Sequence, residues 1–114
     1  MEVTHYEFGR IVIDGKEYTR DIIIRRGQVE KRKKKNSKVY KGRFGHTPLS
    51  AEENIPWNSR KLIVGTGMSE ALPIMREVEV IAGKKGVEIT AMPTAEAIRH
   101  INDRDTNLIL HLTC

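Results

Sequence analysis

The residues best suited to bind a small anion follow three apolar segments of the chain. Gly65-Thr66-Gly67 comes directly after Leu62–Val64, and Thr94 and Cys114 follow two later apolar segments. Glycines in such a turn let backbone N–H groups approach a phosphate, while the hydroxyl and thiol groups can form hydrogen bonds. A dinucleotide fingerprint requires a third glycine where Glu70 stands, so the turn is better explained as a tight exit from a strand than as a nucleotide site.

We expect these groups to meet if the three segments are parallel strands. Ligands of open α/β sheets usually bind at the edge where the carboxyl ends of parallel strands lie. The alternative is that Thr94 only caps a helix and that Cys114 only packs. The candidate ligand-binding residues are therefore Gly65, Thr66, Gly67, Thr94 and Cys114, together with His46 if tertiary folding brings it close.

His111 and Cys114 do not form a catalytic pair within one strand. Residues three positions apart on a strand point to opposite faces, so His111 shares a face with Thr113 instead. We expect His111 to be a buried histidine with satisfied hydrogen bonds. The chain has four histidines and one cysteine, with no pair at metal-ligand spacing and no P-loop sequence. The sequence therefore predicts no catalytic residue, no metal site and no cofactor.

Half of the basic residues lie in one segment of the chain. Residues 25–43 hold ten of the twenty basic residues and only one acid, Glu30. Such a segment can follow a phosphate backbone, but Tyr40 and Phe44 are too few aromatics for a base-stacking surface. An exposed loop explains the same charge. The candidate nucleic-acid-binding residues are Lys31, Arg32, Lys33, Lys34, Lys35, Lys38, Lys41 and Arg43.

Composition and length indicate one cytoplasmic domain. A chain of 114 residues suits a single domain, and a single cysteine excludes an internal disulfide and fits a reducing compartment. Met1–Glu7 lacks the apolar stretch of a secretory signal, and no apolar run is long enough to span a membrane. We expect one domain over residues 1–114, with residues 31–45 as a basic exposed loop or ribbon. Abundant glutamate and lysine beside a single glutamine are typical of thermophilic proteins.

The elements that would position the candidate residues alternate in type. Tyr6–Arg26 predicts a β-hairpin, because Asp14-Gly15 suits a type I′ turn and the apolar runs on either side suit strands. Ser50 and Glu53 form a capping box that predicts a short helix ending at Pro56.

The second half of the chain predicts three strands separated by two helices. The strands are expected over 62–64, 87–91 and 108–112. One helix is expected from Pro73 to Gly83, and the other is expected to begin with Thr94 as its N-cap. This alternation favours a largely parallel core sheet.

The sequence also resembles one small domain family over nearly its whole length. This family of unknown function includes the mitochondrial complex I assembly factor three, the adipogenesis-associated domain protein and archaeal stand-alone members. The resemblance implies a three-layer α/β domain with a mixed, partly parallel central sheet, an N-terminal β-hairpin and two main helices. The residues that carry it are Phe8-Gly9, Ile13-Asp14-Gly15, Tyr18, Asp21-Ile22, Gly45-His46, Ile63–Gly67, Pro93-Thr94, Ala97 and His111–Cys114.

The resemblance implies no established enzymatic activity, since known relatives act in assembly or regulation through protein partners. The leading prediction is therefore a non-enzymatic binding or assembly domain that acts through a protein partner or as a homo-oligomer, away from membranes. Two alternatives stay open. One is small-molecule or anion binding, or an enzyme, at the strand-end edge, and the other is nucleic-acid binding through residues 25–43.

Overall fold

The first three strands form a small antiparallel sheet in the computed structural model, which describes residues 1–114. They are β1 (Val3–Glu7), β2 (Arg10–Ile13) and β3 (Lys16–Tyr18), paired in that order. Asp14 and Gly15 have φ angles of 50° and 78°, as the predicted type I′ turn requires. The predicted return strand is too long, because β3 ends at Tyr18 and the three isoleucines that follow belong to another sheet.

The central sheet is mixed and has five strands in the order β5-β4-β8-β6-β7. The strand β6 is parallel to both β7 and β8, whereas β4 is antiparallel to β5 and to β8. The predicted mixed, partly parallel sheet is therefore confirmed. The five strands are β4 (Ile22–Arg25), β5 (Gln28–Lys31), β6 (Lys61–Gly65), β7 (Glu88–Met92) and β8 (Thr106–Leu110).

Apolar layers cover both faces of the central sheet. On one face, Val78 and Ala82 of the helix α2 (Arg76–Lys85) pack in one core with Leu62 and Val64. On the other face, β2 and the short helix α3 (Thr94–Ala97), which continues as a 3-10 turn over Ile98–His100, cover Ile63, Leu108 and Leu110. The three-layer α/β fold is thus confirmed. The longest helix has ten residues, and none combines the length and hydropathy needed to cross a bilayer.

The helix boundaries differ from the predicted ones for local reasons. Pro73 does not open α2, because its carbonyl accepts a hydrogen bond from the backbone N–H of Leu49. The helix ends at Lys85 rather than at Gly83, because the next residue, Gly86, adopts a left-handed φ of 69°. Thr94 does not cap α3, since that position is held by Pro93.

The basic segment is helical where an exposed loop or ribbon is predicted. Residues Lys35–Tyr40 form a 3-10 helix, and α1 (Lys41–Phe44) follows it directly. Arg32 and Ser37 are buried, at 3% and 0% exposure, although the lysines around them face solvent. No helix begins at Ser50: residues 51–53 form a turn, in which the carboxylate of Glu53 accepts the N–H of Ser50 (3.4 Å) and also binds the guanidinium of Arg32.

Candidate functional site

Thr94 links the turn after β6 to the segment after β8. Because β6, β7 and β8 are parallel, their carboxyl ends lie at one edge of the sheet, as predicted. The hydroxyl of Thr94 accepts a hydrogen bond from the N–H of Gly67 (2.8 Å) and donates one to the carbonyl of His111 (2.6 Å). Thr94 is fully buried, and Thr66 donates its hydroxyl to the carbonyl of Met92 (3.0 Å). Both hydroxyl groups therefore stabilise this edge of the sheet through hydrogen bonds within the chain.

Gly67 lies in direct contact with the C-terminal segment. Its φ is 106°, and a Cβ placed there would lie 2.3 Å from the carbonyl carbon of Cys114. The N–H groups of Met68 and Ser69 donate to the carbonyls of Thr113 and Cys114 (2.8 and 2.9 Å). With the N–H groups of residues 66 and 67 also bonded, this turn offers no free backbone donor to an anion.

A buried ion network lies beside this edge and is centred on Asp21. One carboxylate oxygen of Asp21 accepts hydrogen bonds from Nδ1 of His111 (2.7 Å) and Nη1 of Arg32 (2.8 Å). The other oxygen accepts the N–H of Leu112 (3.0 Å). Arg32 also donates to both carboxylate oxygens of Glu53, at 2.7 and 2.9 Å. One guanidinium thus joins two carboxylates in the bidentate geometry that arginine favours.

The network keeps its groups charged despite burial. Burial alone would raise the pKa of Asp21, but the hydrogen bond and charge of His111, the N–H of Leu112 and the charge of Arg32 hold it at about 2. Burial alone would lower the pKa of Arg32, whereas the bound carboxylates, Glu53 foremost, raise it above its usual value. Because Asp21 binds Nδ1, the other ring nitrogen of His111 is left facing the hydroxyl of Thr113, 3.3 Å away.

Beside His111 lies a cavity of about 190 Å³, which we name the His111 cavity. It brings together two of the predicted site residues, Cys114 and His46, whereas Gly65, Thr66, Gly67 and Thr94 do not line it. Two lysines, Lys34 and Lys41, line it and no acidic side chain does. The lining residues are Arg32, Lys34, Lys41, His46, Thr47, Leu72, His111, Thr113 and Cys114.

A larger basic depression of about 480 Å³, the lysine groove, adjoins the His111 cavity. It contains most of the predicted nucleic-acid-binding lysines, but Arg43 lies outside it, over the ring of Phe44 (5.3 Å). Placing Arg32 on a nucleic-acid surface is wrong, because its side chain is 1% exposed and its N–H groups are already bonded. The lining residues are Thr19, Arg20, Asp21, Lys31, Arg32, Lys33, Lys34, Lys35, Lys38, Leu112 and Thr113.

The sequence contains weak signals for the buried ion network, which the sequence analysis did not predict. Asp21 is a lone acid directly before three buried isoleucines, a position where a carboxylate needs partners. Arg32 is the only arginine in a run of lysines, and arginine rather than lysine suits a buried bidentate pair. Neither signal identifies the partners, which come from distant parts of the chain.

Comparison with known proteins gives one family and several solved structures. The family described as "Protein of unknown function (DUF498/DUF598)" matches residues 3–103. A conserved hypothetical protein from Pyrococcus horikoshii is 28% identical over 100% of both chains, with a TM-score of 0.81. A protein named MT938 is 25% identical over 98% of this chain and 97% of its own, with a TM-score of 0.70. A structure described as an outer membrane protein from Bartonella henselae is 16% identical over 98% and 94% (TM-score 0.66), which shows a shared fold alone.

Proposed function

The chain belongs to the DUF498/DUF598 family of unknown function, and we propose that this member is a non-enzymatic binding domain that holds a small anion in the His111 cavity. The observation that carries the proposal is the charge of the lining. Two lysines and two histidines face the cavity and no acidic side chain does. An anion would supply the missing counter-charge through charge-assisted hydrogen bonds, which are among the strongest in proteins.

The buried ion network orders the walls of the His111 cavity in the absence of a ligand. Asp21 orients the ring of His111, and Arg32 fixes the chain two residues before Lys34. Both Asp21 and Arg32 are themselves buried and hydrogen-bonded, so the walls they support are held in place. A site that is already ordered loses less entropy on binding, which raises affinity for a given set of contacts.

The proposal is tested by titrating inorganic phosphate at neutral pH and following the backbone amide signals by NMR. We expect saturable shifts concentrated at residues 111–114 and 46–47 in the wild-type protein. Lys34→Gln and Lys41→Gln each remove a charged contact and should weaken the affinity by about tenfold. Lys84→Gln, which makes the same charge change on α2 outside the cavity, is the control.

The distribution of the amide shifts along the chain distinguishes a specific phosphate site from unspecific attraction. Weak, non-saturating shifts spread over many lysines would contradict the proposal, and so would equal losses in the Lys84→Gln control. Retained binding in both cavity variants would show that the phosphate lies elsewhere on the surface.

A protein partner is a second candidate, favoured by two exposed apolar side chains. Phe8 and Met68 are 55% and 50% exposed. The C-terminal segment contacts the backbone next to both residues, because the N–H of Gly9 donates to the carbonyl of Leu112 (2.7 Å) and the N–H of Met68 donates to the carbonyl of Thr113 (2.8 Å). An apolar pair next to a basic cavity suits a partner with apolar and acidic side chains.

Native mass spectrometry of the gently purified protein tests this candidate. We expect the wild-type chain to carry a stoichiometric second protein, and the Phe8→Glu variant to lose it because a buried charge is costly in an apolar contact. Val80→Glu is a suitable control, since Val80 is a 46% exposed apolar residue on α2. A bare wild-type monomer, or equal loss in both variants, would count against a partner at this surface.

A further inference from the structure

We infer that the anion carries two or more phosphate groups and extends from the His111 cavity into the lysine groove; this inference rests on the proposed function. The two depressions are lined in common by Arg32, Lys34 and Thr113, so they meet there. An occupant of the smaller cavity that continued past Lys34 would therefore enter the larger one.

The lysine groove holds more positive charge than the protein itself balances. Apart from the buried Arg32, its cations are exposed, and none of these exposed cations forms an ion pair with a carboxylate. The one acid in the lining is Asp21, whose oxygens are already bonded to Arg32, His111 and Leu112. These unpaired cations are Arg20, Lys31, Lys33, Lys34, Lys35 and Lys38.

Buried anchors hold these lysines close together. Arg32 is fixed at one end by Asp21 and Glu53, and the hydroxyl of Ser37 binds Ser50 (2.6 Å) and Glu53 (2.5 Å) at the other. Between them, the N–H of Lys33 donates to the side chain of Asn54 (3.1 Å). Holding like charges together costs free energy in the absence of a ligand. A ligand with several negative charges relieves more of this repulsion than a single phosphate does.

The lining favours a small phosphorylated molecule or polyphosphate over a nucleic acid. No Phe, Tyr or Trp side chain lines either depression, so the two histidine rings of the His111 cavity are the only rings there that could stack on bases. The nearby aromatics along the chain are already engaged: Lys16 lies over the ring of Tyr18 (5.5 Å), the hydroxyl of Tyr40 donates to Glu52 (2.5 Å), and Arg43 lies over Phe44.

The experiment compares inorganic phosphate, pyrophosphate and tripolyphosphate by calorimetry at constant ionic strength. We expect affinity to rise by roughly tenfold for each added phosphate, because each reaches a further lysine. The triple variant Lys33→Gln, Lys35→Gln, Lys38→Gln should lose this rise while its affinity for phosphate stays close to that of the wild type. All three residues are exposed, so the variant keeps its core.

A second triple variant controls for overall charge. Lys61→Gln, Lys84→Gln, Lys85→Gln removes the same charge from exposed positions outside both depressions, and it should bind all three anions like the wild type. Equal losses in the two triple variants would overturn the inference in favour of unspecific attraction.

Other outcomes separate the inference from the proposed function. If phosphate binds and the longer anions bind no better, the inference fails and the anion site stands. If none of the three binds, both fail. If an oligothymidylate of matched charge binds more tightly than tripolyphosphate, the groove is a nucleic-acid site and the inference is overturned.

Discussion

Asp21 connects three parts of the molecule through one carboxylate. Its partners are Arg32 in the basic segment, the ring of His111 and the backbone of Leu112. Its charge therefore supports both the start of the lysine groove and the wall of the His111 cavity. Losing one member of a buried ion pair leaves the other charge unpaired, which is far more costly than losing a surface pair.

The stability of the protein should fall as this carboxylate is protonated. Asp21 has a pKa of about 2 in the folded protein against 3.8 for an unperturbed group. A lowered pKa stabilises the fold above pH 3.8 by roughly 2 kcal/mol, and this contribution is lost as the pH falls from about 4 towards 2. We expect the free energy of unfolding, measured by urea titration across this range, to decline accordingly.

Asp21→Asn should remove that part of the pH dependence and lower the stability at neutral pH by about 3–5 kcal/mol. Asp103→Asn is a matched control, because Asp103 also binds a histidine, His100 at 2.6 Å, but is half exposed. Its loss should have little effect. Equal effects of the two substitutions would show that the buried network contributes nothing beyond a surface ion pair.

Repulsion among the lysines of the groove should destabilise the basic segment that carries them. Its helical turns are fixed by Arg32 and Ser37, and the lysines on them have no carboxylate partners. The triple variant Lys33→Gln, Lys35→Gln, Lys38→Gln should therefore melt at a higher temperature than the wild type at low ionic strength, by roughly 2–4 °C. Added salt screens the repulsion and should shrink the difference.

Thermal unfolding followed by circular dichroism at low and high salt checks this expectation. An unchanged or lower melting temperature for the triple variant at low salt would mean that the lysines do not repel one another appreciably. In that case, relief of repulsion could not favour a multiply charged ligand.

Elements set by local apolar patterns are predicted well from the sequence. The strands β6, β7 and β8 and the helix α2 follow from periodicity, because their buried faces repeat along a few consecutive residues. The helix expected at Ser50 is absent, although Glu53 accepts the N–H of Ser50 (3.4 Å) as a capping box requires. The same carboxylate binds Arg32, 21 positions away, a contact that no local pattern indicates.

The site is less predictable than the elements that hold it. Sequence reasoning identified Cys114 and His46, which do line one cavity. It assigned the glycine turn and Thr94 to ligand binding, yet their polar groups are bonded within the chain. Asp21 and His111 lie 90 positions apart, and no local pattern indicates that they touch.

At the scale of the whole molecule, the family resemblance predicted the arrangement of the central sheet more accurately than the residue patterns did. Alternating strands and helices indicated a largely parallel sheet, whereas the resemblance implied the mixed three-layer arrangement that the structure has. The match of residues 3–103 to a family of unknown function confirms that resemblance. Action through a protein partner stays a prediction.

The strand β8 lies in the middle of the central sheet although it is the last strand along the chain. During synthesis, β4 and β6 therefore face an empty position until residues 106–110 emerge from the ribosome. At usual rates of translation, the roughly forty residues between β6 and β8 take about 2–8 seconds to make. For that time the nascent chain carries two unpaired strand edges, which invite pairing with other chains. The nascent chain is therefore most prone to pair with other polypeptides just before β8 inserts between β4 and β6.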